Sequence, residues 1–557
     1  TQQTGGTSSG AANDINQSAD TAGSPSLGTV TNNAVVTVSA QITGAGTDGT
    51  VVAGLDSGTI KGANGGDVIT IAGDIGNTNA GLTTVNLGGA TLDESIKVYG
   101  TDGQIIYGGD SLDNRTIINV NNGSTFDGAT TTDVTGYVDF RVSELNGAYA
   151  SVKDLNDATV RSAGDFIVAG SFNNSTLSAL EGSNIDIEVD TDIVDGDFIL
   201  GEGDTLNQTA GHTISGDRAV TNNSTQVGSA NVGTIVETTP GGTTITVKSE
   251  TDGATSFAGM TGGTIQGSGS GNDTVNIGDI GEADAENDIN IGTTGKGITV
   301  GADGDIIGGT TDSEKTTINV ADGSSLSGDA GVSGHTDFVI AENGSATVGD
   351  FTNANASVTG ALQGGSIDGG SYTVNADSSL TQAAGSTVTG TVAFEVNDTG
   401  SAIVGDFNNA DATVTGALQG GNIGGGSYTV NADSSLTQTA GSTVTGTVAF
   451  DVNDTGSAIV GDFNNATASV TGALQGGSID GGNLTVNAGS SFAQVSYTNL
   501  PANATSHHHV SRSALEKKIT NSTATATGAL HVASIHGVNI TVNAASSLTQ
   551  TPVTPVP

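Results

Sequence analysis

The sequence predicts an all-β chain wound into a long β-solenoid with about 19 residues per coil. Three observations lead there. A block of 56 residues returns in tandem. Inside it, apolar and polar residues alternate in short bursts, and no 3.6-residue stripe is sustained. The composition also excludes a thick core: only 4% of the 557 residues are aromatic, with no Trp, no Cys and one Met against 87 Gly. Stacked Val, Ile, Leu and occasional Phe can build a thin core, which is what a solenoid needs.

The repeat is explicit. Residues 360–415 read GALQGGSIDGGSYTVNADSSLTQAAGSTVTGTVAFEVNDTGSAIVGDFNNADATVT, and residues 416–471 repeat that text with six changes. A third copy begins at Gly472 and a fourth at Gly528. An older repeat lies upstream, where RTIINVNNGSTFDG at 115–128 aligns with KTTINVADGSSLSG at 315–328, and GTIKG at 58–62 with GTIQG at 263–267. The bursts SYTVNA, SSLTQ, STVTG, TVAFDV and SAIVGDF are rich in β-branched residues and punctuated by Gly, Asn or Asp. About six strands in 56 residues make three coils, and a rise of about 4.8 Å per coil extends some 27 coils over about 130 Å. Equivalent residues should then stack. Phe351, Phe407 and Phe463 form one expected column, Phe394 and Phe450 a second, and Leu362, Leu418, Leu474 and Leu530 a third.

These patterns divide the chain into a flexible polar arm (1–28), a first solenoid unit (29–220) and its diverged copy (221–350). The 56-residue repeats (351–492) follow, then an atypical segment (493–557) with a partial fourth repeat and a Pro-punctuated end. No amphipathic helix stands ready to cap the stack, so its ends are expected to offer unpaired backbone to another chain.

Charge narrows the partners. The net charge is −45, with 13 Lys and Arg against 58 Asp and Glu. Such self-repulsion makes the folded state dependent on salt or divalent cations. There is no basic stripe for nucleic acid or an anionic membrane. No run of 18 apolar residues exists, so no membrane-spanning helix is expected. The chain starts at Thr1 without Met and reads as an exported, secreted product.

Ca²⁺ is the expected cofactor, because acidic, oxygen-rich turns suit it. GSGNDTVNIG at 269–278 contains Asn272 and Asp273 in the arrangement of a single degenerate calcium-binding nonapeptide, with an Asx turn as the competing reading. Asp350, Asp406 and Asp462 in GDF, and Asp398 and Asp454 in NDTG, are expected to stand in acidic ladders, with carboxylates about 5 Å apart that either bind cations or hold their protons. Near the end, AQVSYTNLPANATSHHHVSRSALEKKITNS replaces the expected repeat text. It brings His507, His508, His509, Arg512, Lys517 and Lys518 together, a candidate docking surface for an acidic neighbour. A neutral loop replacement and a transition-metal site are the alternatives. No catalytic residues are assigned: there is no Cys nucleophile and no HExxH, and residues 360–505 contain no Lys or Arg.

The GALQGG, VNADSSLTQ and GDFNN phrases resemble the β-solenoid stalks of bacterial surface proteins, namely adhesins, autotransporter passengers and surface-layer proteins. The resemblance implies a right-handed parallel β-helix at the cell surface, although the tandem nonapeptide array of calcium-bound surface layers is missing. The expected function is a non-enzymatic structural subunit that assembles with itself into a surface layer or filament. An adhesin or tail-fibre-like stalk binding cells or glycans is the alternative, and a carbohydrate-active β-helix enzyme the second.

Overall fold

The computed structural model describes residues 50–62, 67–76, 83–143, 148–180, 185–189, 192–200, 205–208, 213–215, 217–222, 229–236, 243–248, 255–268, 273–283 and 285–494, with short strands within 8–39 and 519–550. The protein is all-β, a β-solenoid of stacked strands, as the alternation predicts. Every strand ladder of described register is parallel, and the helical elements among the described residues are three single 3₁₀ turns. The chain divides into two compact units. One comprises residues 1–278 with 290–301, the other residues 279–289 with 302–557.

In the second unit the repeat supplies three successive strand layers. Leu362 pairs with Leu380, Leu380 with Ala402, and Ala402 with Leu418, its counterpart in the next copy. The steps are 18, 22 and 16 residues. Alternate residues point inward, so Ala361–Gly364 and Ser379–Gln382 each bury every second side chain. The Leu column runs on through Leu436, Ala458, Leu474 and Phe492 to Leu530. The GDF column alternates likewise, with Ile367 and Val388 between Phe351 and Phe407.

The expected pairing of Phe394 with Phe450 does not occur. Phe394 leads through Val414 and Val430 to Val452, two residues beyond Phe450. Register shifts between Asp368 and Gly370 and between Val388 and Thr391 move this face along by two residues per repeat. Each of these Phe rings instead lies 5.6 Å from a buried Tyr, Phe394 from Tyr372 and Phe450 from Tyr428.

Polar residues fasten the corners. Gln438 Nε2 donates to the Gly421 and Thr443 carbonyls while its Oε1 accepts from Gly461 N–H, and Gln382 does the same one repeat earlier. Ser378, Ser434 and Ser490 each accept from a Gly N–H at 2.9 Å. Asn375, Asn431 and Asn487 each donate to a Thr hydroxyl 16 residues back.

Paired glycines fit the adjoining layer. A Cβ on Gly420 would lie 2.3 Å from Phe407 Cε2, and one on Gly421 would lie 2.2 Å from Asp406 Oδ1. The LQGG phrase is therefore shaped by the GDF phrase of the preceding layer.

Early in the first unit the steps are longer. Val85, Ile118 and Phe140 stack at 33 and 22 residues, and Ile69, Val98, Phe126 and Ala150 at 29, 28 and 24. The 3₁₀ turns Leu92–Glu94 and Leu112–Asn114 lengthen these coils beyond the expected 19. Tyr149–Ala179 runs as one strand through corners at Asp157, Gly164 and Asn174, all with positive φ.

Parallel pairing also extends toward both ends. Within the segment 1–28, Asn13–Asn16 pairs in parallel with Val36–Ser39. Beyond the third repeat the ladder skips a layer. Leu484 pairs with Ala524 and Ile479 with Ile519, 40 residues on. The replaced text at 495–518 lies outside the described residues.

Candidate functional site

The aspartates singled out in the repeats do not form ladders. A 56-residue period is three layers, so Asp350, Asp406 and Asp462 are never register neighbours; Asp406 pairs with Thr387 on one side and precedes the Phe407–Ile423 pair on the other. Each carboxylate holds the turn of the following layer. Asp350 accepts from Ser366 N–H at 2.6 Å, Asp406 from Asn422 N–H at 2.7 Å and Asp462 from Ser478 N–H at 2.7 Å. Asp398 and Asp454 are exposed at turn tips three layers apart, each carbonyl accepting from the next Thr hydroxyl at 2.5 Å. Those threonines, Thr399 and Thr455, have φ of 64° and 66°.

Asp273 is buried, 1% exposed, and its Oδ2 accepts from both the N–H and the hydroxyl of Ser268 at 2.7 and 2.9 Å. The carboxylate closes the loop back to Ser268, five residues earlier, a longer span than an Asx turn. Asn272, His507, His508, His509, Arg512, Lys517 and Lys518 lie outside the described residues. Among the described residues no group of three or more His, Cys, Asp or Glu could hold a metal ion. The recurring aspartates thus do not converge into a calcium cage.

Carboxylates do stack in the first unit, where Asp133 and Asp154 are direct register partners. Burial and then the Asp154 charge push the Asp133 carboxyl above its ordinary value. Its Oδ1 is out of reach of water and has no hydrogen-bond partner. Burial opposes ionisation of Asp154 too, but the Lys153 ammonium and the Ser171 hydroxyl, at 3.0 and 2.8 Å, outweigh it and hold that carboxyl low.

Basic residues also gather in the first unit. Six of the 13 basic residues fall between Lys61 and Arg161. Val138, Phe140 and Val142 are buried on the inner side of Thr125–Val142, so Asp139 between them faces outward. Asp139 is nevertheless only 1% exposed, because arginines cover it. Arg115, just ahead of the strand Thr116–Val120, donates Nε to it at 2.6 Å. Arg161, its register partner, donates two bonds at 2.7 Å. Arg141, two residues along the same strand, stands 3.7 Å away with 46% of its side chain exposed. Three guanidiniums meet one carboxylate.

The aligned text in the second unit builds the corresponding corner with different charge. Thr116 and Thr316 each donate a hydroxyl at 2.6 Å, to the Tyr107 and Ile307 carbonyls. Lys315 pairs with Asp337 at 2.6 Å, which raises the Lys315 ammonium above its ordinary value. His335, in the place of Tyr137, meets Asp312 through Nδ1 at 2.7 Å and Asn355 through Nε2 at 2.9 Å. Asn355 Nδ2 can only donate, so Nε2 accepts and the ring proton sits on Nδ1.

Sequence reasoning passed over the arginine group, whose members come from two strands and the turn that precedes a third. The available signal was the alignment of RTIINV…GYVDF with KTTINV…GHTDF, which repeats a basic residue and an Asp 24 and 22 residues apart. No family model, no curated protein and no solved structure matches this chain.

Proposed function

We propose that the chain is a secreted structural protein of a cell surface, whose copies associate into a layer or filament. One observation carries this reading: a recurring set of Gln, Ser and Asp side chains that the repeats reproduce fastens one layer to the next. Gln382 and Gln438, Ser378, Ser434 and Ser490, and Asp350, Asp406 and Asp462 all bond across layers. Amplifying such text multiplies scaffold. Resemblance to the stalks of bacterial surface proteins supports the location. Calcium, in this reading, lowers the repulsion of a −45 surface by diffuse association. Sedimentation velocity over rising concentration, with and without calcium, tests the proposal. Calcium-promoted growth of large species supports it, and a monomer throughout defeats it.

A second reading, a stalk that binds glycans, has one observation in its favour. Tyr99 is 40% exposed on an outward face that it shares with Lys97. Glycan binding that Tyr99→Ala abolishes, without any self-association, would establish that reading instead.

A further inference from the structure

We propose that Arg141, set among Arg115 and Arg161, is a carboxylate-binding site for the acidic outer face of a second copy of this chain. The proposal rests on the self-association reading and names one of its contacts.

Asp139 can neutralise one arginine. Its two oxygens are taken by Arg115 and by the two-point contact of Arg161. Both side chains are thereby immobilised, with 21% and 28% of their surface exposed. Arg141, the most exposed of the three, has no hydrogen bond to Asp139 at 3.7 Å. A guanidinium presents a planar fork of donors that matches a carboxylate at two points. Here that fork stands beside two other guanidiniums that share the one Asp139 carboxylate, on a chain whose net charge is −45. Because Asp139 fixes the neighbouring arginines, a visiting carboxylate would order little more than Arg141 itself.

Charge complementarity selects the occupant. Residues 360–494 carry eleven Asp and Glu and no Lys or Arg. Asp368, Glu395, Asp398, Asp451 and Asp454 are exposed there. Glu395 and Asp451 recur at equivalent sequence positions in successive repeats, as do Asp398 and Asp454, so exposed carboxylates return every three layers, with Asp451 set two residues along the strand from the Glu395 column. Two surfaces of net negative charge repel over most of their area, and a focused basic site paired with a regular acidic one gives them a defined register.

The test uses the full chain with Arg141→Glu, Arg141→Gln and Arg141→Lys, each first matched to wild type in thermal unfolding. Self-association is followed by light scattering and sedimentation at low and high salt. Association of the wild type should weaken with salt. Arg141→Glu should weaken it about tenfold at low salt, Arg141→Gln less, and Arg141→Lys least. Polyaspartate should compete with wild-type association. If wild type associates and Arg141→Glu associates equally well, the site is refuted while self-association stands. If wild type binds a sulfated polysaccharide through Arg141 with association untouched, a glycan is the occupant and the second-copy assignment is wrong. If wild type never associates, both readings fall.

Discussion

At the scale of single residues, close fit between neighbouring layers governs what the repeat tolerates. Gly420 lies under the Phe407 ring, and an added methyl would come within 2.3 Å of it. Gly420→Ala should therefore cost about 2 kcal/mol through forced displacement of a buried ring, read as a lower unfolding midpoint in denaturant. Asp133 supplies a pH-dependent case. Its carboxyl is raised by burial and by Asp154, so the folded state holds a proton that the unfolded chain releases. That contribution is fully present below the ordinary carboxylate value and is lost as pH rises through the raised one. Asp133→Asn mimics the protonated form. It should stabilise the protein at neutral pH by about 0.5 kcal/mol, as expected for relief of a like-charged cross-strand pair. The gain should shrink toward zero in acid, and a gain that grows in acid would contradict the assignment.

At the scale of elements, each corner polar group joins more than one layer. Gln438 makes three hydrogen bonds, two of them to adjoining layers, from a nearly buried position, 5% exposed. Gln438→Ala should cost about 2–3 kcal/mol, because it strands backbone groups as well as removing bonds. Urea titration of the variant checks this, with Gln438→Glu as a control that keeps an acceptor for Gly461 N–H. Much at this scale was readable in advance. Period-two alternation located the strands, and the shared spacing of Phe351, Phe407 and Phe463 placed them in one column. Register was not readable. The irregularity between Val388 and Thr391 shifts Phe394 away from the Phe450 column; Gly390, with φ of 72°, marks where it falls but not how far the register moves. Register also decides which charges meet. Asp350 and Asp406 recur conspicuously yet sit three layers apart, whereas Asp133 and Asp154 pair although nothing in the text links them.

At the scale of the whole molecule, charge is the dominant fact. A net charge of −45 with 13 basic residues means that compaction and association both work against repulsion. Six of those basic residues lie between Lys61 and Arg161, and among the described ones Lys61, Arg115, Lys153 and Arg161 are hydrogen-bonded or close-paired with carboxylates. The unfolding temperature should therefore rise with added sodium chloride and rise further, at equal ionic strength, with calcium; scanning calorimetry measures both. Composition made this much legible, whereas the arginine cover over Asp139 depends on two strands and a turn meeting and became visible only with the ladder in hand.

The most direct test of the structural role is electron microscopy of the purified full chain, prepared with calcium and with chelator at matched concentration. Ordered filaments or sheets in calcium, dispersed in chelator, are the predicted result. Isolated particles under both conditions, at concentrations well above those that suit a surface assembly, would contradict it.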